Sequence, residues 1–527
     1  MEVKTCKSSN HLYFLSFMTL LFLLNPVFPV SFSSSSDDDC NCEAYLVQSI
    51  PADMPHLPSI HGVLSTGDVF KWLAGNSTKR LDMIVQYWQF LAQPQNPKSG
   101  DYGYSKQDMD RFGADVGYQV FQSLENAADR NVNIRILQHK GVYPDFTRES
   151  SILAAGRPNV QNVTLLLGDW WGSGIVHTKV WISDRKDIYI GSANNDWKSL
   201  TQVKEVGIYL VGCPKIAEEV EIYFDNLWTL AALNSSKYIK PVWDEHSQIN
   251  REVPCWSHFV DFKERCRSPL PSYVRVPHVN GYPTLSDPSM FKTPIKTPGC
   301  NNSTIHHHSS YLSFAPPELL FGKFQSDEQA WLGTIKSVGS KGTLRISTMD
   351  WLGQSQYTSE AVFWSSLSSA ISEVVFSKHA KVKILVAYWG HFINNTDLYL
   401  KSLLYTNVLC EAVKYKEKIC NGKIEIKYYE VPGFNMTGPA LSNTTATGNI
   451  YPGYTRVNHG KYAVSDIRAH IGTSNLVWDY FYTTAGGSFG TYNPSLVSQL
   501  QEIFDADWNS PYAVPVNPLP MEIHSSW

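Results

Sequence analysis

Apolar and polar positions follow the same order in the two halves of the chain. In each half, apolar residues at helical spacing precede an alternating run, a second helical pattern and a second alternating run. The predicted helices are residues 68–74, 112–129, 327–338 and 359–376, and the predicted strands are residues 81–91, 133–138, 343–350 and 382–388. An order used twice indicates an internal duplication, with an α/β fold of two similar sheets packed against each other.

Both halves continue into the same short motif, H-x-K-x4-D. Its defining residues are His177, Lys179 and Asp184 in the first copy, and His459, Lys461 and Asp466 in the second. Residues 176–182 alternate and are rich in β-branched and aromatic types, so they are predicted to form a strand. Side chains two residues apart share one face of a strand, which places each motif histidine beside its lysine.

A returning strand is predicted after each motif, at residues 187–190 and 468–471. Each returning strand ends on a small polar turn that offers two more hydrogen-bonding side chains. The four turn residues are Ser192 and Asn194 in the first copy, and Thr473 and Asn475 in the second. The motif aspartates fall at the hairpin turns, seven residues after each histidine, so we expect them to support the hairpins through hydrogen bonds or ion pairs.

If the two copies face each other, they would enclose two imidazoles, two ammonium groups and two amides. Such a set is suited to a tetrahedral anion, because lysine supplies charge and asparagine supplies oriented N–H groups. Histidine can act as nucleophile and as proton donor near neutral or mildly acid pH, which are the roles that phosphodiester cleavage needs. No metal or other cofactor is required by this set. The alternative is a pair of satisfied strand histidines in a fold that is used twice.

The motifs and their flanks resemble the phospholipase D superfamily. The closest resemblance is to its endolysosomal branch, the phospholipase D family members three and four. It is carried by G-I-V-H-T-K-V-W at residues 174–181, G-S-A-N-N-D-W-K-S-L-T-Q-V-K-E at 191–205, H-G-K-Y-A-V-S-D at 459–466 and G-T-S-N at 472–475. The resemblance extends from about residue 40 to the end of the chain.

The resemblance implies two phospholipase D-type lobes, each a mixed β-sheet flanked by helices, packed pseudo-symmetrically around one central active site. It implies that His177 is the nucleophile that forms a phosphohistidine, and that His459 protonates the leaving group and then activates water. Lys179, Lys461, Asn194 and Asn475 would hold the phosphoryl oxygens. The near-symmetric motifs do not themselves decide which histidine attacks.

The chain divides by composition into five predicted parts. These are an apolar leader at residues 1–33, a polar linker at 34–43, a first lobe at 44–254, a proline-rich excursion at 255–312 and a second lobe at 313–527. Two lysines, an apolar run and two prolines in the leader are typical of a secretory signal peptide. The alternative is an uncleaved signal anchor, because animal relatives are type II membrane proteins, and this segment would then associate the protein with a membrane.

Nine cysteines are present, and removal of Cys6 with the leader would leave an even number for disulfides in an oxidising compartment. Cys410 and Cys420 flank a short charged segment and are the best local pair. The resemblance adds a bond between Cys213 and either Cys40 or Cys42.

N-glycosylation sequons are consistent with passage through the secretory pathway. They lie at Asn76, Asn162, Asn234, Asn301, Asn302, Asn394, Asn435 and Asn443. The three histidines at 306–308 are interpreted as part of a polar loop, and the absence of a C-x-x-C pair gives little support to a zinc site.

The formal net charge is −4, so no strongly basic surface announces a nucleic-acid partner at neutral pH. Protonation of all 16 histidines would move the charge to +12, so an acidic compartment would favour polyanion binding. Aromatic residues near the motifs are candidates for base stacking, although core packing is their more common role. They are Trp170, Trp171, Trp197, Trp478 and Tyr480.

Our first hypothesis is a metal-independent 5′-to-3′ exonuclease on single-stranded DNA or RNA, located in a lysosome, a vacuole or the extracellular space. The runner-up keeps the mechanism but acts on phospholipids, by hydrolysis or by headgroup exchange. The absence of a separate lipid-binding module favours the first only weakly. A third reading is a non-catalytic luminal binding protein, which two intact motifs oppose. A homodimer is implied by the resemblance alone.

Overall fold

The first half of the chain forms an eight-stranded mixed sheet with its connecting helices. In chain order the elements are β1 (Glu43–Ser49), β2 (Leu64–Ser65), α1 (Thr66–Asn76), β3 (Arg80–Val85), β4 (Trp88–Gln89), α2 (Lys106–Phe112), α3 (Ala114–Asp129), β5 (Asn133–His139), α4 (Arg148–Ala154), β6 (Val160–Leu165), α5 (Gly168–Trp171), β7 (Val180–Ser183), β8 (Asp187–Gly191), β9 (Asn195–Asp196), α6 (Trp197–Thr201), β10 (Glu205–Val211) and α7 (Pro214–Ala232). The strand order is β2-β1-β10-β8-β7-β3-β5-β6, and β4 pairs with β9 beside it.

Two small hairpins and a short 3-10 helix follow α7. They are the 3-10 helix Ser235–Lys237, the strands β11 (Ile239–Asp244) and β12 (Ile249–Pro254), and the strands β13 (His278–Val279) and β14 (Tyr282–Pro283). The structure is a computed structural model that describes residues 42–141, 145–272, 278–279, 282–283, 309–320, 325–414, 419–437 and 450–518.

A nine-stranded sheet is built from the second half. Its elements are β15 (Ser310–Ala315), the 3-10 helix Pro317–Leu319, β16 (Gln325–Ser326), α8 (Asp327–Lys336), β17 (Thr343–Thr348), α9 (Ser366–Ser377), β18 (Lys381–Ala387), α10 (Asn394–Lys414), β19 (Lys423–Tyr429), the 3-10 helix Phe434–Met436, β20 (Lys461–Val464), β21 (Ala469–Gly472), α11 (Asp479–Tyr482), β22 (Gly486–Thr491), α12 (Pro494–Asn509) and β23 (Ala513–Pro515). The strand order is β16-β15-β22-β21-β20-β17-β18-β19-β23.

The two sheets have the same topology. The eight strands of the first sheet, in the order β2-β1-β10-β8-β7-β3-β5-β6, correspond one by one to β16-β15-β22-β21-β20-β17-β18-β19 in the second sheet. Strand β23 adds one edge strand to the second sheet. In each sheet three strands run parallel on one side, and the motif hairpin pairs antiparallel beside them. The predicted duplication and the α/β fold with two similar sheets are therefore confirmed.

One apolar core joins the inner faces of the two sheets. Strand β7 alternates its side chains, so Val180 and Ile182 enter this core while Trp181 packs under α1 and α3 on the opposite face. Helices α7 and α12 complete the shared core. Burying an aliphatic side chain of this size contributes roughly 1.5–3 kcal/mol, so the shared core holds the two sheets together.

The predicted elements differ from the observed ones mainly at their ends. The helix predicted over 112–129 is α3, which begins at Ala114 because Gly113 adopts a φ of +78° that ends the preceding helix α2 at Phe112. The strand predicted over 81–91 ends at Val85, and the helix predicted over 359–376 begins only at Ser366, after a hydrogen-bonded loop. The strand predicted over 176–182 begins at Val180, because the residues before it pair with the other half of the chain.

Three disulfides stabilise the described part of the chain. They are Cys42–Cys213, Cys255–Cys266 and Cys410–Cys420. The pairings of Cys410 with Cys420 and of Cys42 with Cys213 are confirmed, whereas Cys40 and Cys300 lie outside the described residues. The predicted leader at 1–33 also lies outside them. Within the described residues, no helix has the length and apolar character needed to cross a bilayer. The predicted lobe boundaries stay predictions.

Candidate active site

Each motif histidine is held by backbone bonds from the opposite half of the chain. The N–H of His177 donates to the carbonyl of Ala485 at 3.0 Å, and the N–H of His459 donates to the carbonyl of Lys204 at 2.7 Å. Gly174 allows the first of these approaches, because a Cβ there would lie 2.0 Å from the carbonyl oxygen of Thr483. Each motif segment therefore pairs through its backbone with the other half of the chain, and we call this reciprocal pairing the backbone exchange.

This exchange brings the two imidazoles together. The ring centroids of His177 and His459 lie 6.5 Å apart at an interplanar angle of 66°. Both rings line one cavity of about 380 Å³, and both residues are buried. The arrangement leaves one phosphorus atom within reach of both rings.

The two rings are oriented by different partners. Nδ1 of His177 donates to the carbonyl oxygen of Thr473 at 2.8 Å, and Nδ1 of His459 donates to the carboxylate of Glu205 at 2.8 Å. A proton held on Nδ1 leaves Nε2 as the nitrogen with the reactive lone pair in the neutral ring. A carboxylate partner also stabilises the imidazolium form, which a neutral carbonyl does less strongly.

Strand register explains why only one histidine has a carboxylate partner. Gly191 pairs with Gly207 in the first sheet, and the equivalent Gly472 pairs with Ser488 in the second. Two residues before these partners stand Glu205 and Gly486, so glycine occupies the place of the carboxylate in the second half. A Cβ at Gly486 would lie 2.5 Å from the hydroxyl of Ser474, so no side chain fits there without movement.

The motif lysines are buried beside the histidine backbones. Nζ of Lys179 donates to Gln86 Oε1 at 2.7 Å and to the carbonyl of His177 at 2.6 Å. Nζ of Lys461 donates to the carbonyl of His459 at 2.6 Å. Burial lowers the pKa of Lys179 well below its ordinary value and lowers the pKa of Lys461 to about 7, although Glu205 opposes both shifts. These contacts are consistent with the predicted placement of each lysine next to its histidine.

Of the four predicted turn residues, only the two asparagines line the cavity. Nδ2 of Asn475 donates to the carboxylate of Asp350 at 2.6 Å. The hydroxyl of Ser192 instead donates to the carbonyl of Val206, and the hydroxyl of Thr473 accepts from the N–H of Gly487. The prediction that these two hydroxyls bind phosphate stays a prediction, and each hydroxyl makes a hydrogen bond to a neighbouring strand of its own sheet.

The motif aspartates lie away from the cavity lining and brace the hairpin turns. Asp184 accepts from the N–H groups of Thr78, Lys79 and Arg80 and from the Thr78 hydroxyl, at 2.7–2.9 Å. Burial acts to raise the pKa of Asp184, but these hydrogen bonds outweigh it and lower the pKa. Asp466 accepts from the N–H groups of residues 339 and 343 in the same way. Each aspartate ties its motif hairpin to the loop before the adjacent strand.

Burial shifts the cavity histidines away from the charged form. It lowers the pKa of His177 well below its ordinary value, with Lys179 and Lys461 adding to the effect. Burial also lowers the pKa of His459 to about 4, against the opposing effect of Glu205. Burial acts to raise the pKa of Glu205, but His459 and Lys461 outweigh it and lower the pKa. Because the ring of His177 stays unprotonated in acid, it is suited to act as a nucleophile.

Two further carboxyls line the cavity and were missed by the sequence reasoning. Burial raises the pKa of Asp350 to about 6 and the pKa of Asp196 to about 6, although Lys461 and Lys198 respectively oppose the shifts. Glu205 ends the motif flank at residues 191–205, where its position alone assigns it no role. A lone acidic residue at the head of a buried apolar strand was the signal that could have found it, because such a group needs a partner.

The predicted base-stacking tryptophans are core residues. Trp170, Trp171, Trp197 and Trp478 are each at most 2% exposed. Tyr480 does line the cavity, where it meets the ring of His177 edge-on with centroids 4.9 Å apart. Other aromatic residues line the cavity: Tyr87, Tyr357, Trp389, His391 and Tyr454. Tryptophan near a motif was thus a poor guide to which rings face the ligand.

Among the described residues, no group of three or more His, Cys, Asp or Glu side chains is arranged to hold a metal ion. The histidines at 306–308 lie outside that part of the chain. The functional groups that line the cavity include imidazoles, amides and carboxyls, and the ammonium groups of Lys179 and Lys461 lie beside the two histidines.

Comparison with known proteins identifies the class. A sequence model described as "PLD3/4, PLD-like domain" matches residues 63–239. The chain is 28% identical to "Phospholipase D Z" of Dictyostelium discoideum over 478 residues, covering 90% of this chain and 92% of the relative. It is 27% identical to "5'-3' exonuclease PLD3" of Homo sapiens over 476 residues, covering 90% and 80%.

A solved structure, the phosphatidylserine synthase of Haemophilus influenzae Rd KW20, overlaps 85% of this chain and 84% of its own length. The TM-score is 0.45 and the sequence identity 12%. The paired motifs, the duplicated sheets and the sequence relatives together define a phosphodiesterase with two H-x-K-x4-D copies. The chain is similar to members of the phospholipase D superfamily along most of its length, and the matching sequence model covers residues 63–239.

Loss of the Asp184 carboxylate should affect stability more than chemistry. Asp184→Ala removes four hydrogen bonds at the turn of the first hairpin, so we expect a loss of about 2 kcal/mol of unfolding free energy. The thermal midpoint should fall, while kcat of the folded enzyme should fall far less than in His177→Ala. Asp110→Ala, which removes an exposed ion pair with Lys106, is the matched control and should leave the midpoint nearly unchanged. An unchanged midpoint with activity as low as that of His177→Ala would contradict this role.

Proposed function

We propose that this phosphodiesterase is a 5′-to-3′ exonuclease on single-stranded nucleic acid that works through a phosphohistidine on His177. In the first step, Nε2 of His177 attacks phosphorus and His459 protonates the departing alcohol oxygen. In the second step, His459 takes a proton from water, the water oxygen attacks phosphorus, and the P–N bond to His177 breaks. No metal takes part in either step.

One observation carries the assignment of roles: Glu205 faces His459, while a glycine stands at the equivalent place on the side of His177. A proton donor must carry a positive charge before the reaction, and the carboxylate of Glu205 favours that charge. A nucleophile must be neutral, and the carbonyl of Thr473 orients His177 without adding a charge. The two near-identical motifs are thereby given different roles.

The charges of the cavity favour activity in acid. As the pH falls from 7.5 to 5, Lys461 gains its charge, Asp350 and Asp196 lose theirs, and a growing fraction of His459 becomes protonated. Every one of these changes makes the cavity more positive and so more favourable to a phosphodiester anion. His177 stays unprotonated over this range, because its pKa is lowered well below its ordinary value.

Several histidines differ from the expectation that all 16 gain charge in acid. Burial lowers the pKa of His139 to about 4, and it lowers the pKa values of His391 and His470 as well. Burial therefore opposes positive charge on these three histidines. The proposed acid dependence rests on Lys461, Asp350, Asp196 and His459 at the cavity.

The choice of substrate is supported by the relatives. The matching sequence model covers PLD3/4, and the human relative is named a 5′-3′ exonuclease. The second candidate is a phospholipase D acting on glycerophospholipids, which the name of the Dictyostelium relative favours. The same two-step chemistry serves both, with water or a lipid alcohol as the final acceptor.

A location in the secretory pathway is supported by the disulfides and by the sequons. Structural disulfides persist in oxidising compartments. The sequon asparagines within the described residues, Asn76, Asn162, Asn234, Asn394 and Asn435, are all exposed and open to glycosylation. Asn301, Asn302 and Asn443 lie outside the described residues. A lysosomal or vacuolar site, a homodimer and membrane association are proposals that rest on the resemblance.

Trapping of the intermediate should separate the two histidines. With a diester that carries a 4-nitrophenyl leaving group, which needs no protonation, His459→Ala should give a burst of one nitrophenolate per site and a phosphorylated His177. His177→Ala should give no burst. His61→Ala, an exposed histidine outside the cavity, should behave as wild type. A burst in His177→Ala that is absent in His459→Ala would reverse the roles.

Glu205→Gln should move the pH profile to lower pH. Glu205 raises the pKa of His459 by its charge and by its hydrogen bond, so the substitution lowers that pKa further below about 4. In the wild type, kcat/KM should rise as the pH falls from 7 towards 4, because protonated His459 is required. In the variant this rise should begin about one pH unit lower, and the best rate should fall roughly 10²- to 10⁴-fold. An unchanged profile would show that Glu205 does not support the proton donor.

The substrate can be decided with purified protein at pH 5 and pH 7.5. Wild type should shorten end-labelled single-stranded oligonucleotides from the 5′ end, faster at pH 5, in the presence of a chelator. A circular single strand should resist, and His177→Ala should lose at least about 10³-fold in kcat. Release or exchange of headgroups from phosphatidylcholine or phosphatidylglycerol vesicles, without oligonucleotide shortening, would replace the proposal with the phospholipase.

A further inference from the structure

Three aromatic side chains, Trp389, His391 and Tyr454, form a shelf on the wall of the catalytic cavity. The rings of His391 and Tyr454 are stacked, with centroids 4.8 Å apart and an interplanar angle of 11°. Trp389 packs edge-on against His391 at 4.9 Å and 63°. All three residues line the same cavity as His177 and His459. We call this group the aromatic shelf.

The aromatic shelf is open to solvent, unlike the tryptophans near the motifs. Tyr454 is 44% exposed and His391 is also exposed. Tyr454 moreover adopts a φ of +59°, a conformation that residues with a side chain rarely adopt. Such backbone conformations persist where the surrounding structure imposes them, and they concentrate at ligand sites.

The loop that carries Tyr454 is fixed from below by Arg456. This arginine is fully buried, and its guanidinium donates to the carbonyls of Pro432 and Ala52 at 2.6 and 2.9 Å and to the side chain of Gln202 at 3.2 Å. The same loop leads directly into the backbone pairing that holds His459. Tyr454 is therefore held in place relative to the proton donor, and His391 and Trp389 pack against its ring and against each other.

We infer that the aromatic shelf binds the nucleobase of a nucleotide that flanks the cleaved phosphodiester, so that cleavage depends on a base although the reaction takes place at phosphorus. This inference rests on the proposed exonuclease function. Every base has a flat π face, so stacking on rigid rings binds all sequences. Rings that are already ordered lose little entropy on binding. A fatty acyl chain has no such face, and only a few aliphatic side chains line this cavity.

The experiment compares an intact single-stranded oligonucleotide with oligonucleotides that lack the base at the first or the second nucleotide from the 5′ end. In the wild type at pH 5, removal of the base at one of these positions should lower kcat/KM roughly 5- to 150-fold. In Tyr454→Ala and in His391→Ala, the ratio of kcat/KM for intact over abasic substrate should fall close to one. Tyr454→Phe, which keeps the ring, should retain the wild-type ratio.

Trp243→Ala is the matched control, because Trp243 is 50% exposed and does not line the cavity. It should leave the ratio unchanged. If Tyr454→Ala fails to fold, as judged by its circular dichroism and thermal midpoint, His391→Ala carries the test. A wild type that cleaves abasic and intact strands equally, or variants that lower both rates by the same factor, would overturn the inference while leaving the exonuclease intact. A wild type that releases lipid headgroups and shortens no oligonucleotide would overturn the proposed function as well.

Discussion

The site depends on one exchange of backbone hydrogen bonds between the halves of the chain. The segment with His177 pairs with residue 485, and the segment with His459 pairs with residue 204. Neither motif therefore completes its own sheet at the histidine, and both histidines are drawn to the seam between the sheets. The shared apolar core fixes the two sheets, so this pairing places the two rings at a definite separation. Burial at the seam also produces the lowered pKa values of the histidines and lysines.

A duplicated fold places the two motif histidines in equivalent positions. The proposed reaction needs them to differ, because one attacks phosphorus and the other donates a proton. The inequality here comes from a single pair of equivalent positions, Glu205 and Gly486, one step beyond the backbone exchange. Crowding by Ser474 keeps the second position small. One imidazole thus has a carboxylate behind it and the other a carbonyl. The motif alone, which is identical in both copies, does not contain this difference.

Much of the fold could be predicted from the sequence, because strand and helix periodicities were repeated in the same order. Helix ends were less predictable, since a left-handed glycine at position 113 makes α3 begin two residues after the predicted start. The histidines, lysines and asparagines were found because their spacing repeats. Ser192 and Thr473 have the same spacing, but their hydroxyls form hydrogen bonds with neighbouring strands and do not line the cavity. Spacing alone does not show which neighbour a hydroxyl contacts. Asp350, Asp196 and the aromatic shelf do not belong to a repeated sequence pattern, so only the folded chain shows them at the cavity.

The exchange of motif segments also bears on how the two halves depend on each other. Each half supplies one imidazole and the group that orients the opposite one, so an isolated half contains neither histidine together with its orienting partner. Separately produced halves would recover activity only by reassociating. Cleavage of the chain between the two halves would leave the enzyme active as long as the shared core holds them together. The site is therefore complete only where the two halves of the chain pair with each other.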